Sequence, residues 1–124
     1  MPGHILVVDD DPLLCSLLEM ALGREGYQTH VVYSGRAALE ALDHEPFDLI
    51  LLDIMMSDLN GFDVIRQLRS SPTLATIPVI FLTARVDAIS QRIGMDAGAI
   101  EYLTKPITPD DLIARVKAAL ADRS

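Results

Sequence analysis

A chain of 124 residues, half of them hydrophobic and 23% charged, has the size and composition of a single globular domain, which we place over residues 1–124. Its net charge of −8 argues against direct binding of nucleic acid or of an anionic membrane. No apolar run approaches the roughly 18 residues needed to cross a bilayer, and the N-terminus lacks a signal-peptide pattern, so we expect a cytoplasmic protein.

Along the chain, five strand-like runs alternate with five helical patterns. Strands are predicted at residues 4–8, 27–33, 47–52, 79–82 and 100–103. Helices are predicted at residues 12–25, 35–42, 62–70, 87–97 and from 109 almost to 124. Polar residues that suit the N-cap position precede the first, second and last helices, namely Asp11, Ser34 and Thr108.

The fourth predicted helix is the weakest of the five. Gly94 lies inside it and costs about 1 kcal/mol of helix propensity relative to alanine. We therefore expect this helix to be the most mobile.

Strict alternation of strands and helices predicts the α/β class. The expected architecture is a single doubly wound, five-stranded parallel sheet of the flavodoxin-like (βα)5 type, with helices on both faces. The common strand order for such a sheet is 2-1-3-4-5, which places the topological switch point between strands 1 and 3.

The cysteine and the histidines carry no motif of their own. Cys15 is the only cysteine, so the chain has no internal disulfide, and its place in an apolar helical pattern favours a packed thiol. The histidines show no metal-ligand spacing with each other or with Cys15, and we interpret them as bystanders: His4, His30 and His44.

The third strand ends in a carboxylate. Its near-continuous apolar run is typical of a strand buried on both faces, and Asp53 follows directly. Asp53 therefore lies at the carboxyl edge of the sheet, where open α/β sheets bind ligands. Taken alone, it is equally compatible with a turn or helix-capping aspartate.

Other strand ends bring further polar residues to the same crevice: Asp9, Asp10, Thr83 and Lys105. Three neighbouring carboxylates would repel one another unless a cation lay between them. Mg²⁺ suits oxygen ligands of this kind, and Lys105 and Thr83 add an ammonium and a hydroxyl for a phosphoryl group. Taken singly, the acidic run after strand 1 also suits a helix N-terminus, Thr83 a turn and Lys105 a solvated charge.

Four segments resemble the receiver domain of two-component response regulators, over essentially the whole chain. They are ILVVDDD (5–11), LLDIMM (51–56), FLTA (81–84) and EYLTKP (101–106). The resemblance implies that Asp53 accepts a phosphoryl group from a histidine kinase or a histidine phosphotransfer protein. It implies Mg²⁺, with Mn²⁺ as an alternative ion, bound by Asp10, Asp53 and the backbone carbonyl of Met55, with Asp9 acting through water.

The same resemblance assigns roles on the opposite side of the crevice. Thr83 and Lys105 would contact the phosphoryl oxygens, and Tyr102 would be a rotating switch residue, although packing in the core is an equally good interpretation of this tyrosine. The Lys105–Pro106 bond is expected to be cis. The surface of helix 4, strand 5 and helix 5 would then change on phosphorylation, signalling to a downstream protein target or effector domain, and a homodimer through that face is an arrangement the resemblance allows.

Some positions depart from the family pattern. Ser57 replaces a common proline, so we expect the loop at residues 57–61 to be more flexible. Asn60 and Ile107 replace a common aspartate and a common aromatic residue, with small expected effects. Met55 and Arg85 flank the site at positions expected to tune the lifetime of the phosphate.

Rival functions meet specific obstacles in the sequence. A turnover phosphohydrolase would need a second carboxylate two residues after Asp53, where Met55 stands. A nucleotide-binding domain would need a glycine-rich loop after strand 1, and none follows that strand here. An interaction module that keeps the fold without phosphorylation remains the main alternative. Because the last helix almost reaches Ser124, either a stand-alone receiver or one cut from a longer chain is expected.

Overall fold

A five-stranded parallel sheet with five helices forms the protein in the computed structural model, which describes residues 3–123. The strands are β1 (His4–Val8), β2 (Gln28–Val32), β3 (Leu49–Leu52), β4 (Val79–Thr83) and β5 (Glu101–Thr104). The helices are α1 (Pro12–Arg24), α2 (Gly35–His44), α3 (Gly61–Ser70), α4 (Ala88–Asp96) and α5 (Pro109–Arg123). Ser124, to which the last helix was expected almost to extend, lies outside this range, as do Met1 and Pro2.

The strand order is β2-β1-β3-β4-β5 with every neighbouring pair parallel, which confirms the predicted topology. All residues of β3 and β4 are buried, as their continuous apolar sequence indicates. The edge strand β2 is largely half-exposed, in keeping with its polar residues. None of the described helices is long and apolar enough to span a bilayer.

Four of the five strands differ from the predictions at one or both ends, and the fourth and fifth each end one residue later than predicted. Phe47 was placed in the third strand, but it precedes β3 and is apolar because its side chain packs in the core, only 4% exposed. The second strand is shorter at both ends than predicted. The fifth begins one residue later, because Ile100 is an exposed apolar residue rather than a core residue of the strand.

Alternating side chains of the sheet supply two separate cores. On one face, β-strand residues such as Leu6 and Phe81 pack with residues of α2 and α3. On the other face, residues such as Ile5 and Leu82 pack with α1 and α5. The helices thus cover both faces, and the carboxyl ends of β1 and β3 remain side by side at one edge.

The predicted caps begin their helices as expected. The Asp11 carboxylate accepts hydrogen bonds from the first turn of α1, Ser34 Oγ accepts from Ala37 N, and Thr108 Oγ1 accepts from Asp111 N. Each cap satisfies N–H groups that have no partner within the helix.

The loop at residues 57–61 has two anchors that the sequence did not reveal. The Asp58 carboxylate accepts hydrogen bonds from Gly35 N and Arg36 N, at 3.0 and 2.9 Å, and so caps α2 from outside. These bonds also lower the pKa of Asp58. At its other end, Gly61 N donates to Ile54 O at 2.9 Å. The flexibility expected from Ser57 stays a prediction. The structure adds that the loop is held by hydrogen bonds at Asp58 and at Gly61.

Gly94 allows α4 to approach the sheet closely. A Cβ atom at this position would lie 3.1 Å from ring carbons of Phe81 and 3.2 Å from Cδ2 of Tyr102. In the sequence alone, this glycine is only a cost in helix propensity. The structure shows that it also provides the space in which two aromatic rings pack.

We expect Gly94→Ala to lower the free energy of unfolding by about 1 kcal/mol, because overpacking costs about 1–3 kcal/mol and outweighs the gain in helix propensity. Gly23→Ala in α1 is the matched control, since a Cβ atom there would meet nothing within 4 Å. That control should stabilise the protein by about 0.5–1 kcal/mol. Urea denaturation of both variants tests this, and equal stabilisation would contradict the packing role of Gly94.

Candidate functional site

Neighbouring central strands bring an acidic cluster to the carboxyl edge of the sheet. Asp9 and Asp10 follow β1, Asp53 follows β3, and the Asp53 backbone N–H donates to Val8 O at 3.0 Å. This bond continues the ladder between the two strands and holds the start of both connections side by side. Asp9 and Asp53 are buried, whereas Asp10 is exposed.

Lys105 joins the two buried carboxylates. Its Nζ atom lies 2.7 Å from Asp9 Oδ2 and 3.2 Å from Asp53 Oδ2. Lys105 follows β5, two strands away from β3, so its side chain reaches across the end of β4 to make these contacts. Lys105 therefore links three connections, those that follow β1, β3 and β5.

Burial and ion pairing act in opposite directions on this group of charges. Burial raises the pKa of Asp9, and the hydrogen bond from Lys105 reduces that effect without reversing it. For Lys105, burial acts to lower the pKa, but the hydrogen bond to Asp9 and the charge of Asp53 outweigh it, so the pKa is raised. The ammonium consequently stays charged at neutral pH.

The donor set fits a hard divalent cation. Carboxylate oxygens of Asp9, Asp10 and Asp53 lie within 4.8 Å of one another. Lys105 neutralises only part of their charge, and its bond to Asp9 leaves the exposed carboxylate of Asp10 available to an ion. Oxygen ligands and excess negative charge are what Mg²⁺ and Ca²⁺ require. Met55 is also at the site, since its N–H donates to Asp53 Oδ1 at 3.3 Å.

Thr83 and Tyr102 are connected through the backbone of Arg85. Thr83 is fully buried at the end of β4, and its Oγ1 accepts a hydrogen bond from Arg85 N at 3.3 Å. Tyr102 Oη donates to Arg85 O at 2.8 Å, and its ring lies 6.0 Å from that of Phe81. The tyrosine is thus half-buried, packed against the core with its hydroxyl directed to the β4–α4 connection.

The same connection carries the N-cap of α4, Asp87, which was not among the predicted caps. Asp87 accepts hydrogen bonds from Ser90 N at 2.9 Å and Ser90 Oγ at 3.0 Å, and it pairs with Arg85 Nε at 3.4 Å. The spacing of Asp87 and Ser90 is an N-cap signal that was available in the sequence. What the sequence did not show is that Arg85 links this cap to Thr83.

An open groove of about 420 Å³ lies beside the acidic cluster. Asp10, Met55 and Arg85 contribute to its walls, and Arg85 is the only cation among its described lining residues. The predicted site residues are therefore brought together at one edge of the sheet. The Lys105–Pro106 peptide bond at this edge is cis.

Comparison with known sequences identifies a family. The family model of the response regulator receiver domain matches residues 5–117. The DNA-binding response regulator MtrA of Mycolicibacterium smegmatis is 42% identical over 120 residues, covering 97% of this chain and 51% of that protein. The transcriptional regulatory protein GltR of Pseudomonas aeruginosa is 44% identical over 116 residues, covering 94% and 48%. The chain thus spans about half the length of these curated relatives.

Solved structures show the same fold. A putative response regulator from Chloroflexus aurantiacus has a TM-score of 0.92 and 34% identity, with 98% of this chain and 99% of that chain covered. The BeF3-activated DrrB receiver domain has a TM-score of 0.87 and 33% identity, with 98% and 99% covered. A receiver domain of a histidine kinase from Syntrophus aciditrophicus has a TM-score of 0.90 and 37% identity, with 97% and 91% covered.

Cys15 lies beneath the site without offering a reactive group to it. Its side chain is fully buried in α1, and its thiol donates to the backbone oxygen of Asp9 at 3.3 Å. Burial, with a smaller contribution from Asp9 and other nearby carboxylates, raises its pKa to about 12. This agrees with the packed thiol predicted from the sequence.

The native thiol should resist alkylation. With a pKa of about 12 instead of 9.0, the thiolate fraction near pH 8 falls about a thousandfold, because each unit lowers it tenfold. Iodoacetamide at pH 8 should therefore label the urea-unfolded chain rapidly and the native protein at least a thousandfold more slowly, as measured by intact mass. Labelling of the native protein at the unfolded rate would show that the thiol is exposed.

Proposed function

Because this chain belongs to the response regulator receiver domain family, we propose that it is a switch controlled by phosphorylation of Asp53. Receiver domains of two-component response regulators are signalling domains rather than turnover enzymes, which agrees with the absence of a second carboxylate at Met55. The proposal extends this family assignment to particular residues and particular steps.

The single observation that carries the proposal is the setting of the Asp53 carboxylate. It lies at the switch point of the sheet, 6% exposed, with Oδ2 3.2 Å from Lys105 Nζ and Oδ1 3.3 Å from Met55 N. A carboxylate held in one orientation beside a groove is suited to act as a nucleophile. An Asp53 oxygen would bond to phosphorus as the phosphorus–nitrogen bond of a phosphohistidine breaks, and the imidazole would leave with that electron pair and take up a proton.

Lys105 and Thr83 would stabilise the negative charge of the phosphoryl group. The Lys105 ammonium already contacts Asp53 and would form an ion pair with a phosphoryl oxygen. The Thr83 hydroxyl is a donor that can turn towards the same group. Lys105 is in place before the charge develops, and a donor placed in this way stabilises the charge most effectively.

We assign Mg²⁺ to the acidic cluster, with Mn²⁺ as an alternative. Asp10, Asp53 and the backbone carbonyl of Met55 would hold the ion, and Asp9, already engaged by Lys105, would act through water. When bound, the ion supplies positive charge against the phosphoryl oxygens. The support for this assignment is the excess of carboxylate over ammonium charge at the site.

The contacts of Arg85 supply a route from the site to α4. If the Thr83 side chain rotates to bring its hydroxyl to a phosphoryl group, Oγ1 moves away from Arg85 N, and the β4–α4 connection loses a restraint. Tyr102, bonded to Arg85 O, and Asp87, paired with the Arg85 side chain, would then both be displaced. Phosphorylation would act by favouring this second arrangement over the first.

The partners we propose are a histidine kinase or a histidine phosphotransfer protein as donor, and a protein target or effector domain as receiver of the signal. MtrA and GltR are described as regulators that bind DNA or act in transcription. Exposed apolar residues on and beside α4 support a homodimer through the α4–β5–α5 face: Val86, Ile89, Met95 and Ile100. We place the protein in the cytoplasm, where such partners act.

Incubation with phosphoramidate and Mg²⁺ tests the acceptor. Phosphoramidate carries the same phosphorus–nitrogen bond as a phosphohistidine, so the wild type should gain the mass of one phosphoryl group with Mg²⁺ and gain none when EDTA replaces Mg²⁺ from the start. Asp53→Asn should gain none, whereas Asp43→Asn, an exposed aspartate on α2, should behave like the wild type. No adduct on the wild type would favour the interaction module, and an adduct on Asp53→Asn would move the acceptor elsewhere.

The route through Asp87 is tested by hydrogen exchange at the Ser90 amide, which Asp87 caps. Phosphorylation of the wild type should speed this exchange. Asp87→Ala should lower the free energy of unfolding by about 1 kcal/mol and leave the amide in fast exchange in both states. The control is Arg92→Gln, which breaks another 3.4 Å surface pair on α4, with Asp96, and should match the wild type. Equal protection of the wild type in both states would contradict the route.

A further inference from the structure

The two ends of α4 are held in different ways. At the N-terminal end, the Asp87 cap is joined to the preceding connection by a 3.4 Å ion pair with Arg85, in which both side chains are about half exposed. An ion pair with that exposure contributes little to stability. At the C-terminal end, several hydrogen bonds fix the turn around Gly98 to other parts of the fold.

The turn at the C-terminal end of α4 is a Schellman motif. Gly98 N donates to Met95 O at 3.0 Å, and Ala99 N donates to Gly94 O at 3.2 Å. Gly98 has a φ of +107°, in the left-handed region that glycine adopts without strain. Ala99, the next residue, is buried in the core. The last turn of the helix therefore has partners for its carbonyl groups and a single defined shape.

The guanidinium of Arg69, on α3, holds this turn in place. Its Nη2 atom donates to Gly98 O at 2.8 Å, and its Nη1 atom donates to Ala75 O at 3.0 Å and to Ile77 O at 2.8 Å. One planar group thus joins α3, the α3–β4 connection and the α4–β5 connection. Burial lowers the pKa of Arg69, but a guanidinium stays charged in proteins, so all three hydrogen bonds are charge-assisted.

Gly98 also fits closely against the Arg69 side chain. A Cβ atom at Gly98 would lie 2.8 Å from Arg69 Nε, so a larger residue would push the guanidinium away. Just beyond the turn, Ile100 N donates to Val79 O at 2.9 Å, where β4 and β5 begin. The C-terminal end of α4 is therefore tied to the amino edge of the sheet, far from the carboxyl edge that carries the acidic cluster.

From this asymmetry we propose that Arg69 makes the C-terminal end of α4 a fixed pivot, about which the helix turns when Asp53 is phosphorylated. The inference rests on the proposed function, in which phosphorylation releases the connection that carries Arg85 and Asp87. A stiff helix rises about 1.5 Å per residue, so displacement about one end increases steadily towards the other. Arg69 is a positioning residue in this arrangement, because it acts through α4 and does not contact the acidic cluster.

A pivot at Gly98 divides the exposed apolar surface of α4 and its flanks into two parts. Val86 and Ile89 lie at the end that moves, whereas Met95 and Ile100 lie beside the pivot. A partner that distinguishes the two states must therefore contact Val86 or Ile89. A contact confined to Met95 and Ile100 would be the same before and after phosphorylation.

Amide hydrogen exchange of Asp87→Ala tests the pivot without phosphorylation, because this variant loosens the N-terminal end of α4 alone. The Ser90 amide should exchange rapidly, whereas the Ala99 amide should keep its wild-type rate. Rates are compared with that of the Leu51 amide in the buried strand β3, which reports global unfolding. Faster exchange at Ala99 in this variant would mean that α4 moves as a whole, and the pivot would be wrong.

Arg69→Gln tests the residue that forms the pivot. It should speed exchange at Ala99 at least tenfold beyond any change at Leu51. Arg66→Gln is the matched control, since Arg66 lies on the same helix in an exposed 3.7 Å pair with Asp63, and it should match the wild type. An unchanged Ala99 rate in Arg69→Gln would exclude Arg69 as the pivot. If Arg69→Gln does not fold, as judged by circular dichroism, Arg69→Lys decides, because its ammonium keeps the charge without the planar fork.

Phosphorylation with phosphoramidate and Mg²⁺ gives a readout that a purely structural role of Arg69 would not change. It should speed exchange at Ser90 and leave Ala99 unchanged in the wild type, but speed both in Arg69→Gln. The same response of Ala99 in both proteins would overturn the proposal. Intact mass of these samples identifies a failure of the proposed function separately. A wild type without an adduct would contradict phosphorylation of Asp53, and Asp87→Ala would then decide on the pivot.

Discussion

The ion pairs of Lys105 are the constraint on which the site depends. Burying Asp9 and Asp53 removes two charges from water, and that is tolerable only when a partner lies close to them. One ammonium, reaching from the end of β5, satisfies both carboxylates at 2.7 and 3.2 Å. Because Asp10 adds a further negative charge, the compensation is incomplete. The folded site thus keeps an excess of negative charge.

Much of the fold follows from patterns that act locally. Apolar runs, caps such as Asp11 and Thr108, and strict alternation gave the elements, and the strand order is the common one for such a sheet. The acidic cluster was also predictable, since parallel strands carry their following residues to a common edge. Errors arose where an apolar residue was not part of a strand, as with Phe47, which is buried beside the sheet, and Ile100, which is exposed.

Contacts between distant segments were beyond the reach of the sequence. Nothing near Asp58 shows that it caps α2 from another loop, and nothing near Glu45 shows that it lies between histidines of two strands. Thr83, Arg85 and Asp87 are close in sequence, yet nothing there shows that Arg85 contacts both of the others or that the Tyr102 hydroxyl donates to Arg85 O. These features require side-chain positions, which a one-dimensional pattern of polarity does not contain.

The glycine in α4 has a mechanical consequence. With no side chain at Gly94, the helix backbone rests almost directly on the rings of Phe81 and Tyr102, and a Cβ atom there would already be 3.1–3.2 Å from them. A bulky, flexible residue would absorb small displacements of the rings by changing its rotamer. A bare backbone has no rotamer to change, so a displacement of Tyr102 would have to move the helix backbone itself. The absence of a side chain at Gly94 therefore matters for how closely the movements of the helix and the two rings are coupled, and not only for the packing energy.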